Sequence, residues 1–329
     1  MPIRAAAYRR RSWGTKLTET VHVRFNKLDL NLLVALDALL TEANISRAAE
    51  KIHLSQSAMS NALARLREYF DDELLVQVGR KMEPTSRAEA LKDAVRDILV
   101  RVEATVAAQP EFVPLQSNRL FRLLVSDYTM MTLMPHLMEL AYLQAPGVRF
   151  DLRPQVSNPQ RILERGEADL LIIPKDFCST EHPSELLFEE SFCCVLWNES
   201  NLLSGDMTAE RYMAAGHVVV HPGDGIALED SFMQRLGMTR HVEVSTFSFL
   251  SPAHLVVGTH RIATMHFRLA KQAARSLPVT IRSMPMAMPK MEQCVQWHKH
   301  RTSDQGIAWV RELLKEAILA MDSVSATTV

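Results

Sequence analysis

Three short helical patterns crowd into residues 29–70 with breaks of only a few residues between them. No other feature of the sequence constrains its fold as strongly. Leu30, Leu32, Leu33, Leu36, Leu39 and Leu40 recur at helical spacing. Asp29 can cap this helix, because a carboxylate accepts the free amide hydrogens of a first turn. After the polar break Thr41-Glu42-Ala43-Asn44 a second helix is expected over Ser46–Ile52, where Ala48 and Ala49 are small enough to let another helix approach. His53-Leu54 make a turn, and Ser55 opens a third helix that runs to Phe70. Two helices joined so tightly form a helix-turn-helix, expected at residues 45–64.

The third helix has two faces. Ala58, Met59, Ala62, Leu63, Leu66 and Phe70 form its apolar stripe, and Gln56, Ser57, Ser60, Asn61, Ala64, Arg65 and Arg67 lie largely off it. Gln and Asn can bond base edges, Ser and Arg can bond phosphates, and a helix N-terminus favours anions. A solvent-exposed polar helix is the bland alternative, and the preceding helix and tight turn weigh against it. Glu73–Gln77 and Lys81–Pro84 flank Val78-Gly79-Arg80 as a small hairpin whose basic tip, Arg80 and Lys81, would lie beside a DNA backbone. Thr85 or Ser86 then caps a long helix, with Ser86-x-x-Glu89 as a capping box. Its stripe of Ala88, Leu91, Val95, Ile98, Leu99, Val102 and Val106 continues to about residue 108. Such a helix suits pairing with its copy in a second chain.

The chain has 329 residues, 47% hydrophobic and 23% charged, which excludes disorder or a fibrous repeat as its main state and suggests two domains. Its net charge is −1, but residues 1–28 carry +6 and the remainder −7, a hint of an anionic partner. Arg9-Arg10-Arg11 resembles a twin-arginine start, yet no apolar core follows, so export and membrane spanning are not expected. Cys178, Cys193, Cys194 and Cys294 show no paired spacing and read as reduced thiols of a cytoplasmic protein.

Beyond Pro110 and Pro114, strand and helix patterns alternate. Strands are expected at Leu120–Ser126, Val148–Val156, Asp169–Ile173, Ser191–Trp197, His217–His221, His241–Phe247, Arg261–Met265 and Met291–His298. Helices are expected at Met130–Leu143, Pro159–Gly166, Leu228–Leu236, Pro252–Val257, Phe267–Arg275 and Gln305–Met321, and Val279–Met284 is read as a return toward the first lobe. That order predicts α/β architecture with parallel sheets.

Leu28-Asp29-Leu30-Asn31-Leu32-Leu33, Ala48-Ala49, Ser55-Gln56-Ser57-Ala58-Met59-Ser60 and Pro84-Thr85 resemble the N-terminal signature of LysR-type transcriptional regulators. The phrasing is similar to the branch that holds flavonoid-responsive nodulation regulators and regulators of naphthalene and chlorinated-aromatic degradation. The resemblance covers roughly residues 24–322. It implies an α/β chain with an N-terminal winged helix-turn-helix, a long linker helix, and a two-lobed effector domain like a periplasmic binding protein. The corresponding domains are a basic extension at 1–23, the DNA-binding domain at 24–85, a linker and dimerisation helix at 86–118, and the effector domain at 119–322. In the last, lobe I takes 119–190 plus 286–322 and lobe II takes 191–285. Relatives tend to start with Met-Arg-Phe where Val23-Arg24-Phe25 stands here, so residues 1–22 are read as an upstream start assignment, with a phosphate-binding arm as the rival. Ser57 stands where relatives often carry Pro. Asn61 stands where many carry Arg or Gln, which shifts base preference from guanine toward adenine.

The DNA-binding set is therefore Gln56, Ser57, Ser60, Asn61, Arg65, Arg67, Arg80 and Lys81. The fold implied places a ligand between the lobes, at the carboxyl ends of strands. Ser126, Asp127, Tyr128, Thr129, Ser157, Asn158, His221, Thr246, Phe247 and His266 stand there. Their hydroxyls, ring faces and imidazoles suit a small phenolic or carboxylated aromatic, with Tyr128 and His221 the stronger candidates. The implied function is a cytoplasmic, sequence-specific transcription regulator, an activator, that needs no cofactor. Its implied partners are double-stranded promoter DNA, a small aromatic effector, RNA polymerase, and its own copies as homodimer or homotetramer. Ligand would shift the lobe angle and so the spacing of the DNA-binding dimers.

Several tempting sites are discounted. Cys193-Cys194 should place one thiol in and one out as buried filler. His298-Lys299-His300 has no third partner nearby in sequence and reads as surface. Met284, Met286, Met288 and Met291 line an adaptable crossing, and Gly223-x-Gly225 is a turn. The competing class is a solute-binding or small-molecule enzyme module with incidental N-terminal helices. The lack of an export signal and of a catalytic constellation argues against it.

Overall fold

The computed structural model describes residues 28–106, 112–155, 158–221, 227–235 and 237–326, with side chains to 323. The basic extension, Val156 and Ser157, and the Gly223-x-Gly225 turn lie outside the described residues. Two compact units divide at Val95 and Arg96.

In the first unit, α1 (Leu30–Glu42) starts where the Asp29 carboxylate accepts the Leu32 amide at 2.9 Å and ends at Ala43 in a left-handed conformation. Asn44 caps α2 (Ile45–Lys51) through the Arg47 amide, and Ser55 caps α3 (Gln56–Phe70) through the Ala58 amide. Between α2 and α3 the chain turns at His53, whose φ of 57° is left-handed, and the Leu54 amide donates back to Ala49. Leu36, Leu39, Ala48, Met59 and Leu66 are fully buried, so the three helices close on one another along the apolar stripe. β1 (Leu75–Val78) and β2 (Lys81–Pro84) form an antiparallel hairpin around Gly79, whose φ of +63° suits a residue without Cβ. The long helix α4 (Ser86–Val106) is capped by Thr85, whose hydroxyl accepts the Ala88 amide at 3.1 Å. The capping box expected from Ser86 to Glu89 does not form: Ser86 is already the first helical residue, Thr85 is the cap, and the Glu89 amide bonds the Thr85 carbonyl.

The second unit holds two five-stranded sheets. The first runs β4-β3-β5-β12-β6, from β3 (Leu120–Val125), β4 (Arg149–Pro154), β5 (Leu170–Pro174), β6 (Ser184–Glu190) and β12 (Met291–Trp297). The first three are parallel, and β12 enters antiparallel between β5 and β6. The second sheet runs β11-β7-β10-β8-β9, from β7 (Phe192–Trp197), β8 (Gly216–Val220), β9 (His241–Thr246), β10 (Ile262–His266) and β11 (Val279–Ser283). The chain thus passes from the first sheet to the second at Ser191 and returns through residues 284–290. The expected homeward course of Val279–Met284 is corrected: β11 pairs with Cys193–Trp197 of β7 and stays in the second lobe.

Helices cover both sheets. The expected helix Met130–Leu143 is two helices, α5 (Asp127–Thr132) and α6 (Met134–Gln144), because Pro135 opens a new first turn. They are followed by α7 (Pro159–Glu164), α8 (Ala209–Ala214), α9 (Leu228–Arg235), α10 (Pro252–Leu255), α11 (Phe267–Ala273) and α12 (Gln305–Ala326). The strand β6 and the helix α8 were not expected. β6 alternates Ser184-Glu185-Leu186-Leu187-Phe188-Glu189-Glu190, too charged at its ends to read as a core strand. Cys193 and Cys194 correct another expectation: both are buried, one in the main core and one in a second cluster with Tyr212 and Ile262, because β7 is covered on both faces.

The start of α12 is fixed to the first strand of the domain. Arg119 bonds both carboxylate oxygens of Asp304, at 2.7 and 2.8 Å, and the same carboxylate accepts the Gly306 and Ile307 amides. Burial alone would raise this carboxyl, but the Arg119 guanidinium and the two amides hold it below the ordinary value. A depressed carboxyl stabilises the fold above its ordinary range and loses that contribution as pH falls through the folded value. We therefore expect Asp304→Asn to cost about 1–3 kcal/mol at neutral pH. Urea unfolding of wild type and variant should converge as the medium is acidified below pH ~4.

Candidate DNA-reading face and effector cleft

Because Met59, Leu63 and Leu66 are buried, the opposite side of α3 faces out. Gln56, Ser57, Ser60, Asn61 and Arg65 are all exposed. They stand at and after the N-terminus of α3, where Ser55 caps one amide and its hydroxyl also meets Ser57 at 3.0 Å. Arg65 reaches the Asp29 carboxylate at 3.4 Å, with both side chains more than half exposed, so this pair is weak and readily exchanged. Arg80 and Lys81 are exposed at the hairpin turn. Arg67 is the exception. Its guanidinium donates to the carbonyl oxygens of Glu73 at 2.8 Å and Leu75 at 2.9 Å, and lies 3.1 Å from the Glu73 carboxylate. It was expected at a phosphate, but it fastens the hairpin to the end of α3. The sequence signal was missed because the carbonyl partners carry no side-chain signature.

The strand-end residues of the second unit meet from both lobes. The hydroxyl of Ser126 caps α5 and lies 3.2 Å from that of Thr129. Asp127 accepts the Tyr128 amide with one oxygen and the Ser248 hydroxyl of the other lobe, at 2.6 Å, with the second. Tyr128 is buried. Its hydroxyl donates to Glu190 at 2.6 Å, and its ring stacks on His266 with centroids 4.2 Å apart. Burial and the adjacent Glu190 carboxylate push the Tyr128 hydroxyl well above its ordinary range. His266 is also buried and flanked by Phe192 and Phe249, both at 5.2 Å; burial pushes its imidazole down to about 3, so the ring is neutral. Thr129 is fully buried and accepts from Gln293 at 3.2 Å, while the other amide atom of Gln293, Oε1, is buried without a hydrogen-bond partner.

The remaining candidates lie closer to solvent. Asn158 is exposed, in a left-handed conformation, and caps α7 through the Arg161 amide. His221 is exposed, with Nδ1 2.8 Å from the Ser245 hydroxyl and Nε2 3.3 Å from Asp230. Thr246 is half-buried and shares a hydrogen bond of 2.7 Å with Ser251. Phe247 is 82% exposed and packs on little. Ser157 lies outside the described residues. The sequence reading missed Glu190, Ser248, Phe249 and Gln293. Ser248 and Phe249 belong to a Ser/Pro-rich turn that looked like a plain loop, and Gln293 sits in a strand that a hydrophobicity pattern alone describes.

A further correction concerns His298. It is buried, not superficial, with its ring 4.8 Å from His182 and 5.1 Å from His300. The third partner comes from a residue more than a hundred positions earlier, beyond the reach of local spacing. Burial pushes His298 down to about 4. Among the described residues no group of three or more His, Cys, Asp or Glu side chains could hold a metal ion.

Residues 30–89 match the family model described as a bacterial regulatory helix-turn-helix protein of the lysR family, and residues 116–318 match the LysR substrate binding domain. The chain is 42% identical over 303 residues to nodulation protein D 1 of Rhizobium leguminosarum bv. phaseoli, covering 92% of this chain and 96% of that one. It is 41% identical to nodulation protein D 2 of Bradyrhizobium elkanii, covering 92% of each. A probable transcriptional regulator from Pseudomonas aeruginosa superposes with a TM-score of 0.60 at 31% identity, over 89% of this chain and 98% of that one. The fold is also that of full-length CbnR in complex with its target DNA, with a TM-score of 0.56 at 13% identity, over 88% of this chain and all of the other. The chain belongs to the LysR family and is a DNA-binding transcriptional regulator with a substrate-binding domain, not an enzyme.

Proposed function

We propose that this regulator is a transcriptional activator that reads promoter DNA through the outer face of α3 and responds to a small aromatic effector of the flavonoid or phenolic class. The observation that carries the effector reading is the ring cluster at the meeting of the lobes. Tyr128 comes from one lobe and His266, Phe192 and Phe249 from the other, with neutral His266 stacked among them. A planar ring entering there exchanges one aromatic neighbour for another at little cost. Two polar groups can orient it: the unpartnered Oε1 of Gln293 and the Asp127–Ser248 bond that joins the lobes. A ligand that replaces that bond changes the lobe angle only by the difference in its affinity for the two arrangements.

On the DNA side, Gln56, Ser57, Ser60 and Asn61 are proposed to read base edges and phosphates in the major groove, with Arg65, Arg80 and Lys81 on the backbone. Arg67 holds the wing in place. One such helix contacts too few bases for useful selectivity, so the chain acts as a homodimer or homotetramer. Exposed Ile98 and Val106 on α4 offer apolar surface for that pairing. RNA polymerase in the cytoplasm is the proposed receiver of the signal. Among the described residues no helix is long and apolar enough to cross a membrane.

Gel retardation on the DNA upstream of its own gene tests the DNA reading; the proposal fails if no fragment is retained specifically at moderate salt. A thermal-shift screen with salicylate, chlorophenols, hydroquinones and flavonoids tests the effector reading, which requires that at least one class raise the melting temperature. Asn61→Ala should lower discrimination at one base position by about 1–3 kcal/mol and leave the rest of the site intact. Arg65→Ala should weaken binding to all sequences and flatten the salt dependence by about one ion. Arg67→Ala removes two charge-assisted bonds at a partly exposed site. It should cost about 1–2 kcal/mol of domain stability and weaken all DNA binding together. Tyr128→Phe should leave retardation unchanged and shift the effector concentration that gives half-maximal transcription.

A further inference from the structure

Three consecutive residues of the second lobe grip the first. His266 ends β10, and its ring stacks on Tyr128 with centroids 4.2 Å apart. Phe267 opens α11, and its amide donates to the Ser191 carbonyl at 2.9 Å, which fixes the first turn of that helix to the chain crossing. Arg268 follows and reaches into the first lobe with both ends of its guanidinium. Nη1 donates to the Glu189 carbonyl at 2.9 Å and to Glu190 Oε2 at 3.2 Å, and Nη2 donates to Asp322 Oδ1 on α12 at 2.8 Å. Its Cζ lies 5.0 Å from the ring centroid of Phe188 in β6. The Glu190 carboxylate is buried, and Arg268 supplies its counter-charge. Oε1 of Glu190 accepts the Ser191 amide at 2.8 Å, while Oε2 takes the Tyr128 hydroxyl as well as Arg268. Two other contacts between the lobes are weaker. Arg235 meets Asp176 at 3.8 Å with both side chains exposed, and Gln272 Nε2 donates to the Met131 carbonyl at 3.4 Å.

We propose that Arg268 is a positioning residue, a clasp between the lobes that holds them in the arrangement in which Tyr128 and His266 stack. No third ring fits between rings 4.2 Å apart, because two contacts of about 3.5 Å each need roughly 7 Å. The clasp and an entering aromatic ring therefore favour different arrangements of the same lobes, and each opposes the other. Without the guanidinium, the Glu190 carboxylate stays buried and uncompensated for as long as the lobes stay together. An arrangement that admits water to Glu190 relieves that cost, so loss of Arg268 moves the population away from the stacked arrangement. The antagonism toward an effector rests on the effector reading above; the clasp itself does not.

The test uses the full chain and two readouts. Spin-labelled p-acetylphenylalanine in place of exposed Glu164 on α7 and exposed Glu210 on α8 reports the distance between the lobes. Excess unlabelled chain keeps each measured pair within one molecule. A transcription reporter fused to the promoter fragment that the chain retards is titrated with salicylate, hydroquinone and quercetin. For Arg268→Gln we expect a second distance population that the wild type lacks. Effector-free transcription should rise, and the concentration for half-maximal response should fall, each by roughly 5-fold or more. Asp322→Asn removes one of the three hydrogen bonds, should move the same readouts the same way by less, and should add little to Arg268→Gln. Lys290→Ala removes an exposed pair with Glu189 beside the clasp, at 2.6 Å, and should match the wild type.

A gain of response separates the clasp from plain destabilisation, which lowers the response. Should Arg268→Gln fail to fold, Asp322→Asn decides. Wild-type lobe distances in the folded variants overturn the clasp, as does the same shift in Lys290→Ala. A shifted distance with a half-maximal concentration that stays or rises overturns the antagonism. A shifted distance with no compound acting on transcription keeps the clasp and counts against the effector reading alone.

Discussion

The burial of one stripe of α3 decides what the N-terminal unit can do. Met59, Leu63 and Leu66 sit against α1 and α2 with almost no exposed surface, and a helix that commits one side to a core must present the other. The presented side is Gln56, Ser57, Ser60, Asn61 and Arg65, short and polar at the helix N-terminus and basic further on. Ala48 and Ala49 make the packing possible, since they are buried and small enough to bring α2 close. The left-handed His53 makes the turn short. The wing depends on the same helix, because Arg67 at its far end holds the carbonyl oxygens that lead into β1.

The second unit solves a different problem, that of joining two sheets so that they can respond to a guest. The chain crosses at Ser191 and again before β12. At the first crossing Glu190 is buried, and it receives both the Tyr128 hydroxyl and Arg268 of α11, which in turn bonds Asp322 on α12. Residues of both lobes therefore converge on one carboxylate. Above it lie the stacked rings of Tyr128 and His266 and the Asp127–Ser248 bond. A buried charge shared by several donors is costly to leave unpaired, so the arrangement of the lobes is set by a small number of identifiable contacts. That is the property a ligand-controlled hinge requires.

Much of this was legible in the sequence. Asp29 and Ser55 announce the starts of two helices by their chemistry, and the alternation of strands and helices gives two α/β lobes. The resemblance carried by residues 28–60 and Pro84-Thr85 points to the family by itself. What escaped was of one physical kind. Arg67 bonds main-chain oxygens, Tyr128 finds Glu190 across 62 residues, and His298 at the end of β12 finds His182 beside the neighbouring strand β6; none of these pairings leaves a local pattern. The single-residue shift of the α4 cap has another cause, since Thr85 and Ser86 are chemically alike and only the end of β2 at Pro84 selects between them.

The central claim is that the outward side of α3 lies along duplex bases. The most direct measurement places a photoreactive residue at Gln56 or Asn61 in the full chain, bound to the promoter fragment it retards, and maps the adducts by primer extension. The account predicts cross-links to bases within one major groove of each half-site, lost when unlabelled specific DNA competes. Retardation that persists while neither position cross-links to a base would show that another surface holds the DNA and would contradict the account.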